Sequence, residues 1–304
     1  ESFSGGHGSE GAVQYGAYDL VISAGGDGTF LRAALDNDGA TPQVGINTDP
    51  SRSRGQLCAD FAHNLPRHID SLRQGKYTWV KRSRIRASLR HLDGGHHGVL
   101  EQFALNEVFV GERDPARASL LKVRVDEEEW EKHKCSGLIV STGTGSSAWG
   151  SEAAKVNPQD VMAVLRGIEA VYAHVQFDNV FRDGFDAGAV ASAANKSTAS
   201  HHLAPDSEEL SLVVREPILS PGAIDRGICI WQGAKPSKAR LVGDGDHGGE
   251  YHPMRSIASR VTVASLGVDV NLVLDGRTWV ALERGVEVEL AVAQDNPLWT
   301  FRFD

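Results

Sequence analysis

The sequence predicts an α/β plus all-β chain: an N-terminal Rossmann-like α/β domain followed by a β-sandwich-rich C-terminal domain. Three observations predict it. Up to about residue 76, buried-strand runs alternate with amphipathic helical runs. From Tyr77 onward, short stretches of alternating hydrophobicity dominate, with turn residues between most of them. Between the first strand and the first helix stands only GGDGT, residues 25–29.

YDLVISA (18–24) has the continuous apolar character of a buried strand. A helix follows the glycine turn, from about Thr29 to Asp36. QVGIN (43–47) reads as a second strand, stopped by Thr48-Asp49-Pro50. Residues 61–74 are amphipathic, with Phe61, Leu65, Ile69 and Leu72 on one face and Gly75 as the stop. Strand, helix, strand, helix implies a parallel sheet. The β-rich part includes RIRASLRHL, QFALNEVFV, LLKVRVDE, GLIVST, ELSLVVRE, GICIWQ, RVTVASL, VDVNLVLDG and VEVELAVA. One helix interrupts it at about Pro158–Ala173, with Asn157 as its cap and proline in its first position. Residues 184–205 are small and polar and read as a loop or a weak helix. The domain boundaries predicted are 1–76, 77–290, and a C-terminal strand at 291–304 that returns to the first domain. Residues 1–17 are a Gly/Ser-rich lead-in.

Composition narrows the function. A hydrophobic fraction of 41% and a charged fraction of 23% over 304 residues describe an ordinary globular chain. No apolar run approaches the ~18 residues that span a bilayer, so no membrane partner is expected. A net charge of -9 argues against a nucleic-acid partner. The basic strip Lys81-Arg82-Ser83-Arg84-Ile85-Arg86 reads as the solvated face of a strand. Cys58, Cys135 and Cys229 lie far apart, with neither zinc spacing nor a disulfide framework, which suits a reducing compartment. Asp244, Asp246, His247, Glu250 and His252 stand close in sequence but read as a solvated acidic loop, as the pairs His96-His97 and His201-His202 read as bystanders. No metal ligands are assigned.

Three stretches carry chemistry. In GGDGT, Gly25, Gly26 and Gly28 let the backbone approach a phosphate, and Thr29 opens a helix whose N-terminus favours anions. Asp27 repels a phosphate there unless it has another task, such as taking a proton from a hydroxyl or holding Mg²⁺. A capping Asp in a glycine-rich turn is the plainer alternative. SGLIVSTGTGSSAWG (136–150) is a strand followed by a loop of small and hydroxylated residues. Such a loop offers N–H and O–H donors to ribose and phosphate oxygens, with Ala148 and Trp149 available to pack on a base. Asn106 and Glu107 interrupt an apolar strand, and an amide beside a carboxylate can pair with a purine edge or with ribose hydroxyls.

Together these residues resemble the NAD kinases, most closely the mitochondrial type. The resemblance is carried by VISAGGDGTFLRAA, GINTDPSRSRGQLC, RIR at 84–86, ALNEVFVGE, KCSGLIVSTGTGSSAW and VVREP, and runs from about residue 20 to the C-terminus. Gly143 in TGTG replaces the proline of the commoner TPTGS, as in the mitochondrial subgroup. The resemblance implies 2′-phosphorylation of NAD, with ATP or polyphosphate as donor and Mg²⁺ as cofactor, by a homodimer of the mitochondrial matrix, with the cytoplasm as the alternative. It implies that Asp27 is the base. Gly25, Gly26, Gly28 and Thr29 would border the donor phosphates. Asn106 and Glu107 would hold the ribose and adenine region, and Ser136, Thr144, Gly145, Ser147, Ala148 and Trp149 would line the dinucleotide pocket. Asp275 matches a late Asp-Gly turn of the family. Ser136 stands where many relatives have Asp, and Trp149 where many have Tyr. Relatives have a further strand and helix before GGDGT. With 19 residues before Leu20, the first strand is expected to be absent or replaced. Two alternatives are a lipid kinase of the diacylglycerol or sphingosine type, which shares GGDGT, and an NAD-binding sensor without turnover.

Overall fold

Hydrophobic runs too short to be buried alone pair into sheets, and the computed structural model shows four of them among the described residues. It describes residues 18–92, 97–153, 155–171, 177, 184–199, 202–218 and 255–303. Outside these fall the lead-in, the GICIWQ strand with Cys229, His96, His201 and the acidic stretch 243–252.

The first layer is β1 (Val21–Ala24), α1 (Asp27–Asp36), β2 (Gln43–Asn47), β3 (Asp60–Phe61) and α2 (Leu65–Arg73). Its three strands are parallel, in the order β1-β2-β3. α1 begins two residues before the expected start, at Asp27, because an acidic residue in the first turn suits the helix field. α2 is shorter than the amphipathic run, which opens as a 3₁₀ turn at Ala62–Asn64. Leu65 and Leu72 pack on Val44 and Ile46, whereas Ile69 is exposed.

Next come β4 (Tyr77–Arg82), β5 (Ile85–His91), β6 (His97–Val99), β7 (Glu107–Glu112), β8 (Ser119–Val125), β9 (Glu131–Cys135) and β10 (Gly137–Ser141). Among the described residues three helices follow: α3 (Trp149–Ala153), α4 (Pro158–Val171) and α5 (Ala187–Ala199). The chain then returns to strands: β11 (Leu210–Arg215), β12 (Arg255–Ala258), β13 (Arg260–Ser265), β14 (Val270–Leu274), β15 (Thr278–Ala281), β16 (Val286–Val292) and β17 (Leu298–Phe303). Two six-stranded sheets result, ordered β12-β11-β10-β7-β14-β15 and β6-β5-β16-β13-β8-β9. Val108, Val110, Leu138 and Leu272 of one meet Leu121, Val123, Val263 and Val288 of the other in a single buried cluster. Alternation along each strand puts these residues inward, which makes the pair a sandwich. α4 is capped as expected: Asp160 N donates to Asn157 Oδ1 and Asn157 N to Asp160 Oδ2, both at 3.0 Å. In the 184–205 stretch it is the weak helix, α5, that forms.

β17 pairs antiparallel with β4, Leu298 opposite Arg82, and its Phe301 packs on Val44 and Ile46 of the first layer.

The basic strip is not a solvated face. Ser83, Arg84 and Ile85 are buried, Arg84 completely. The reason is a helix end. The last carbonyls of a helix lack partners within it, and Arg84 Nη1 donates to Ala34 O (3.2 Å) and Asn37 O (2.6 Å) at the end of α1. Its Nε donates to Asn296 O at 2.9 Å. Burial lowers its pKa to about 10, so it remains a cation at neutral pH.

Candidate active site

β1 delivers the chain to GGDGT, where Gly25 N donates to Ile46 O of the neighbouring strand (2.9 Å). Gly25 has φ 154°, and a Cβ there would lie 2.3 Å from Thr29 Oγ1, so the turn demands glycine. Asp27 is not a cap in the ordinary sense. α1 has no side-chain cap bond at its start. The Asp27 carboxylate instead accepts from Leu57 N (2.7 Å, Oδ1) and Gln56 N (3.0 Å, Oδ2), which fix its orientation. Gly28 and Thr29 are exposed at the mouth of the turn. Cys58 Sγ lies against Gly25 O (3.4 Å), and burial, then the Asp27 charge, pushes its thiol up to about 11. A thiol so raised is inert.

Asn106 and Glu107 sit where the chain enters β7, and Asp275 holds them there. Its carboxylate accepts from Leu105 N (2.7 Å), Asn106 N (2.8 Å) and Glu107 N (3.0 Å). Asp275 N in turn donates to Glu107 O (3.0 Å). Asp275 is therefore turned toward the backbone of the pair and acts as its support. Asn106 Oδ1 and Glu107 Oε2 are buried, and neither has a hydrogen-bond partner among the described residues. Orphaned buried oxygens are costly, and each calls for a partner such as ordered water, an ion or a ligand. Burial, then the charge of Asp275, pushes Glu107 up to about 8. Burial likewise raises Asp275 to about 6, against its three N–H donors.

The STGTG loop closes on the same point. Thr142 N donates to Asn106 O (2.9 Å) and Thr142 Oγ1 to Leu105 O (2.6 Å). A Cβ on Gly145 would lie 2.0 Å from Asn106 O, so only glycine permits this approach. At Gly143 a Cβ would lie 1.7 Å from Ala204 O, which leaves no room for the proline of the commoner motif. Thr144 Oγ1 accepts from Arg82 Nη1 (3.2 Å). Gly145–Ser147 forms a 3₁₀ turn, with Ser147 exposed and Ala148 half-buried. Trp149 packs between Phe109 (5.2 Å) and the Arg215 guanidinium (5.1 Å), leaving part of its ring exposed.

The structure thus brings Asn106, Glu107, Thr142, Gly145 and Asp275 together. GGDGT joins them through Arg277, which follows the Asp275-Gly276 turn and donates from Nη2 to Gly28 O (3.1 Å). Ser136 stands apart, six residues from Thr142 along β10 and so about 20 Å away. Its hydroxyl bonds the Glu216 carboxylate. Sequence reasoning missed Arg82, Arg84, Arg277 and the amides of Gln56 and Leu57. A signal existed for Arg84, since Ser83 and Ile85 flank it in a β-rich stretch; the amides carry none. Among the described residues no three His, Cys, Asp or Glu side chains gather to hold a metal. No helix among them is long and apolar enough to cross a membrane.

An acid in a strand-to-helix glycine turn, tied through Arg277 to the turn that supports an orphaned amide–carboxyl pair, fits a two-domain nucleotide kinase of the GGDGT type. No protein-family model matches the chain. It is 30% identical to the mitochondrial NAD kinase 2 of Xenopus tropicalis, over 94% of this chain and 71% of that protein. It is 37% identical to the mitochondrial NAD kinase 2 of Homo sapiens, over 48% of this chain and 41% of the human protein. The chain belongs to the NAD kinase family, phosphotransferases with an alcohol acceptor. Two solved structures share the fold. Yeast NADH kinase complexed with NADH superposes with a TM-score of 0.60 at 14% identity, covering 94% of this chain and 62% of that one. An NAD kinase from Archaeoglobus fulgidus in complex with ATP gives 0.56 at 18% identity, covering 95% and 80%. Nothing in the site or in these relatives favours a lipid kinase.

Proposed function

We propose that this chain phosphorylates the 2′-hydroxyl of the adenosine ribose of NAD, with ATP as donor, and that Asp27 is the base. The observation that carries the reading is the orphaned pair of oxygens on Asn106 and Glu107. An adenine or ribose edge presents both donors and acceptors. Asn106 Oδ1 accepts, and Glu107, raised to about 8, is a neutral acid at pH 7 that can donate. Their rigid support by Asp275 favours a fixed small ligand.

The 2′-hydroxyl is a poor nucleophile at neutral pH. As its oxygen bonds to the γ-phosphorus, its proton passes to the Asp27 carboxylate. The bond from the γ-phosphorus to the bridging oxygen breaks, and ADP leaves. Two backbone amides hold Asp27 in one orientation, so position supplies much of the rate. Gly25, Gly26, Gly28 and Thr29 border the donor phosphates, where the helix start favours their charge. Both Asp27 oxygens accept backbone N–H groups, which cannot ligate a cation, so an Mg²⁺ would be held by the oxygens of the triphosphate that carries it and by water. When bound, that ion neutralises phosphate charge. Thr144, Gly145, Ser147, Ala148 and Trp149 line the dinucleotide side, with Ser136 at its far end. Polyphosphate as a second donor, a homodimer and a mitochondrial matrix location rest on the likeness to the mitochondrial subgroup.

The test is to incubate the protein with NAD⁺, ATP and Mg²⁺ and read NADP⁺ with an NADP-specific dehydrogenase, with Asp27→Asn alongside. The wild type forms NADP⁺, and the folded variant turns over about 1,000-fold more slowly, the scale of general base catalysis. Undiminished turnover in Asp27→Asn refutes the role of the acid. NAD binding without NADP⁺ from the wild type refutes the kinase in favour of the sensor.

A further inference from the structure

Arg82, at the end of β4, has no place in the reading above beyond its bond to Thr144. Its surroundings set it apart from its neighbours in the basic strip. Arg84 is sealed in and engaged with three carbonyls. Arg86 lies at the surface on Asp295. Arg82 is half-buried, with Nε donating to Thr300 Oγ1 and Nη1 to Thr144 Oγ1, both at 3.2 Å. A guanidinium has five N–H donors in a planar fork. The others on Arg82 have no partner among the described residues.

Three facts place this open fork at the reacting centre. Thr144 belongs to the loop that closes on Asn106, so one side of the guanidinium touches the acceptor side of the site. Burial disfavours its charge most and Arg302 adds to that, whereas the Asp27 carboxylate favours it. Its anchorage does not need the open donors. β4 is already pinned there by the pairing of Arg82 with Leu298 and by Ser83 N donating to Pro205 O (2.8 Å). A planar fork suits phosphate oxygens, and a triphosphate brought beside Asp27 needs a countercharge there.

We propose that Arg82 is a donor-side catalytic residue whose free guanidinium N–H groups bind the equatorial oxygens of the γ-phosphoryl group as it passes to the 2′-oxygen. This rests on the kinase reading above. No further bond is made or broken: the 2′-oxygen gains the phosphoryl group, ADP departs, and Asp27 takes the proton.

The experiment measures steady-state turnover of wild type, Arg82→Ala and Arg82→Lys with ATP, Mg²⁺ and NAD⁺, and NAD⁺ affinity by calorimetry. Arg82→Ala is expected to lose about 100-fold in kcat, as when one donor to a developing charge is removed. Its NAD⁺ affinity falls far less than its kcat, and guanidinium chloride in the assay restores part of the lost rate. Arg82→Lys keeps the charge but not the fork, and shows a raised KM for ATP. Equal kcat in Arg82→Ala overturns the proposal. So does a parallel loss of NAD⁺ affinity without guanidinium rescue, which would make Arg82 a support for the Thr144 loop. If Arg82→Ala fails to fold, an unchanged KM for ATP and kcat in Arg82→Lys overturns it. A wild type that makes no NADP⁺ fails the kinase reading itself, whereas an active wild type with an equally active Arg82→Ala fails this proposal alone.

Discussion

Asp275→Asn isolates the support beneath the candidate site. The substitution keeps volume, and asparagine tolerates the left-handed φ of 45° at this position. Oδ1 accepts two amides, from Asn106 and Glu107, and Oδ2 accepts one, from Leu105. The amide oxygen of the variant keeps the pair, and its NH₂ then faces the Leu105 N–H, donor against donor. A buried N–H left unsatisfied costs about 1–3 kcal/mol. Removing a buried carboxyl group returns part of that. A net loss of about 1–2 kcal/mol follows, or roughly 2–3 °C in melting temperature for a protein of this size. Function suffers more, because small displacements of positioning groups can cost up to about 100-fold. Loss of the Asp275 charge also lowers the pKa of Glu107, although burial, the larger cause, remains. Thermal unfolding and NAD⁺ titration against pH read all three effects. A variant with wild-type melting, affinity and pH profile would refute the supporting role of Asp275.

Two further outcomes follow from the same geometry. Glu107 titrates at about 8 in the fold against an ordinary 4.5, so the folded chain holds a proton that the unfolded chain releases across that window. Its contribution to stability is full at acid pH and is lost as pH rises toward 8. Asp275 adds to the slope below about pH 6. Urea midpoints of Glu107→Gln should therefore fall less steeply with pH than those of wild type, and equal slopes contradict the assignment. Gly145→Ala sets a methyl 2.0 Å from Asn106 O. It should cost about 1–3 kcal/mol by overpacking and weaken NAD⁺ binding measured by calorimetry; unaltered affinity would show that the close approach is not needed.

Much of the site was legible because its residues break local rules. An acid among glycines between a strand and a helix, and an amide–carboxyl pair inside an apolar strand, contradict the patterns around them, and such contradictions gather at functional sites. Strands such as β5, β8, β13 and β16 were legible from alternation, whereas β3, β6, β9, β12 and β15 were not read from the sequence. What escaped depends on distant chain. Arg84 reads as a surface residue until the end of α1, 47 positions earlier, supplies carbonyls with no other partner. Asp275 reads as a ligand-binding acid, but its partners stand about 170 positions away and take both of its oxygens. Asp27 gave no hint that the amides of Gln56 and Leu57 would orient it, because an amide has no signature in a sequence.

These long-range contacts explain why the acid and the orphaned pair keep a fixed spacing although they belong to different layers. Phe30 and Ala34 of α1 pack with Leu105 and Leu298 in one small buried cluster. Phe30 is one helical turn from Asp27, and Leu105 is the neighbour of Asn106. The cluster therefore joins the helix that begins at the acid to the residue that precedes the pair. Polar contacts then remove the freedom that apolar packing leaves, because hydrogen bonds have direction and dispersion does not. Arg277 holds Gly28 O at the start of α1, Arg84 holds Ala34 and Asn37 at its end, and Asp275 holds Leu105 itself. A helix fixed at both ends and along one face can neither slide nor rotate against the pair. The placement of Asp27 relative to Asn106 and Glu107 is thus set by the fold, as the base role proposed for Asp27 requires.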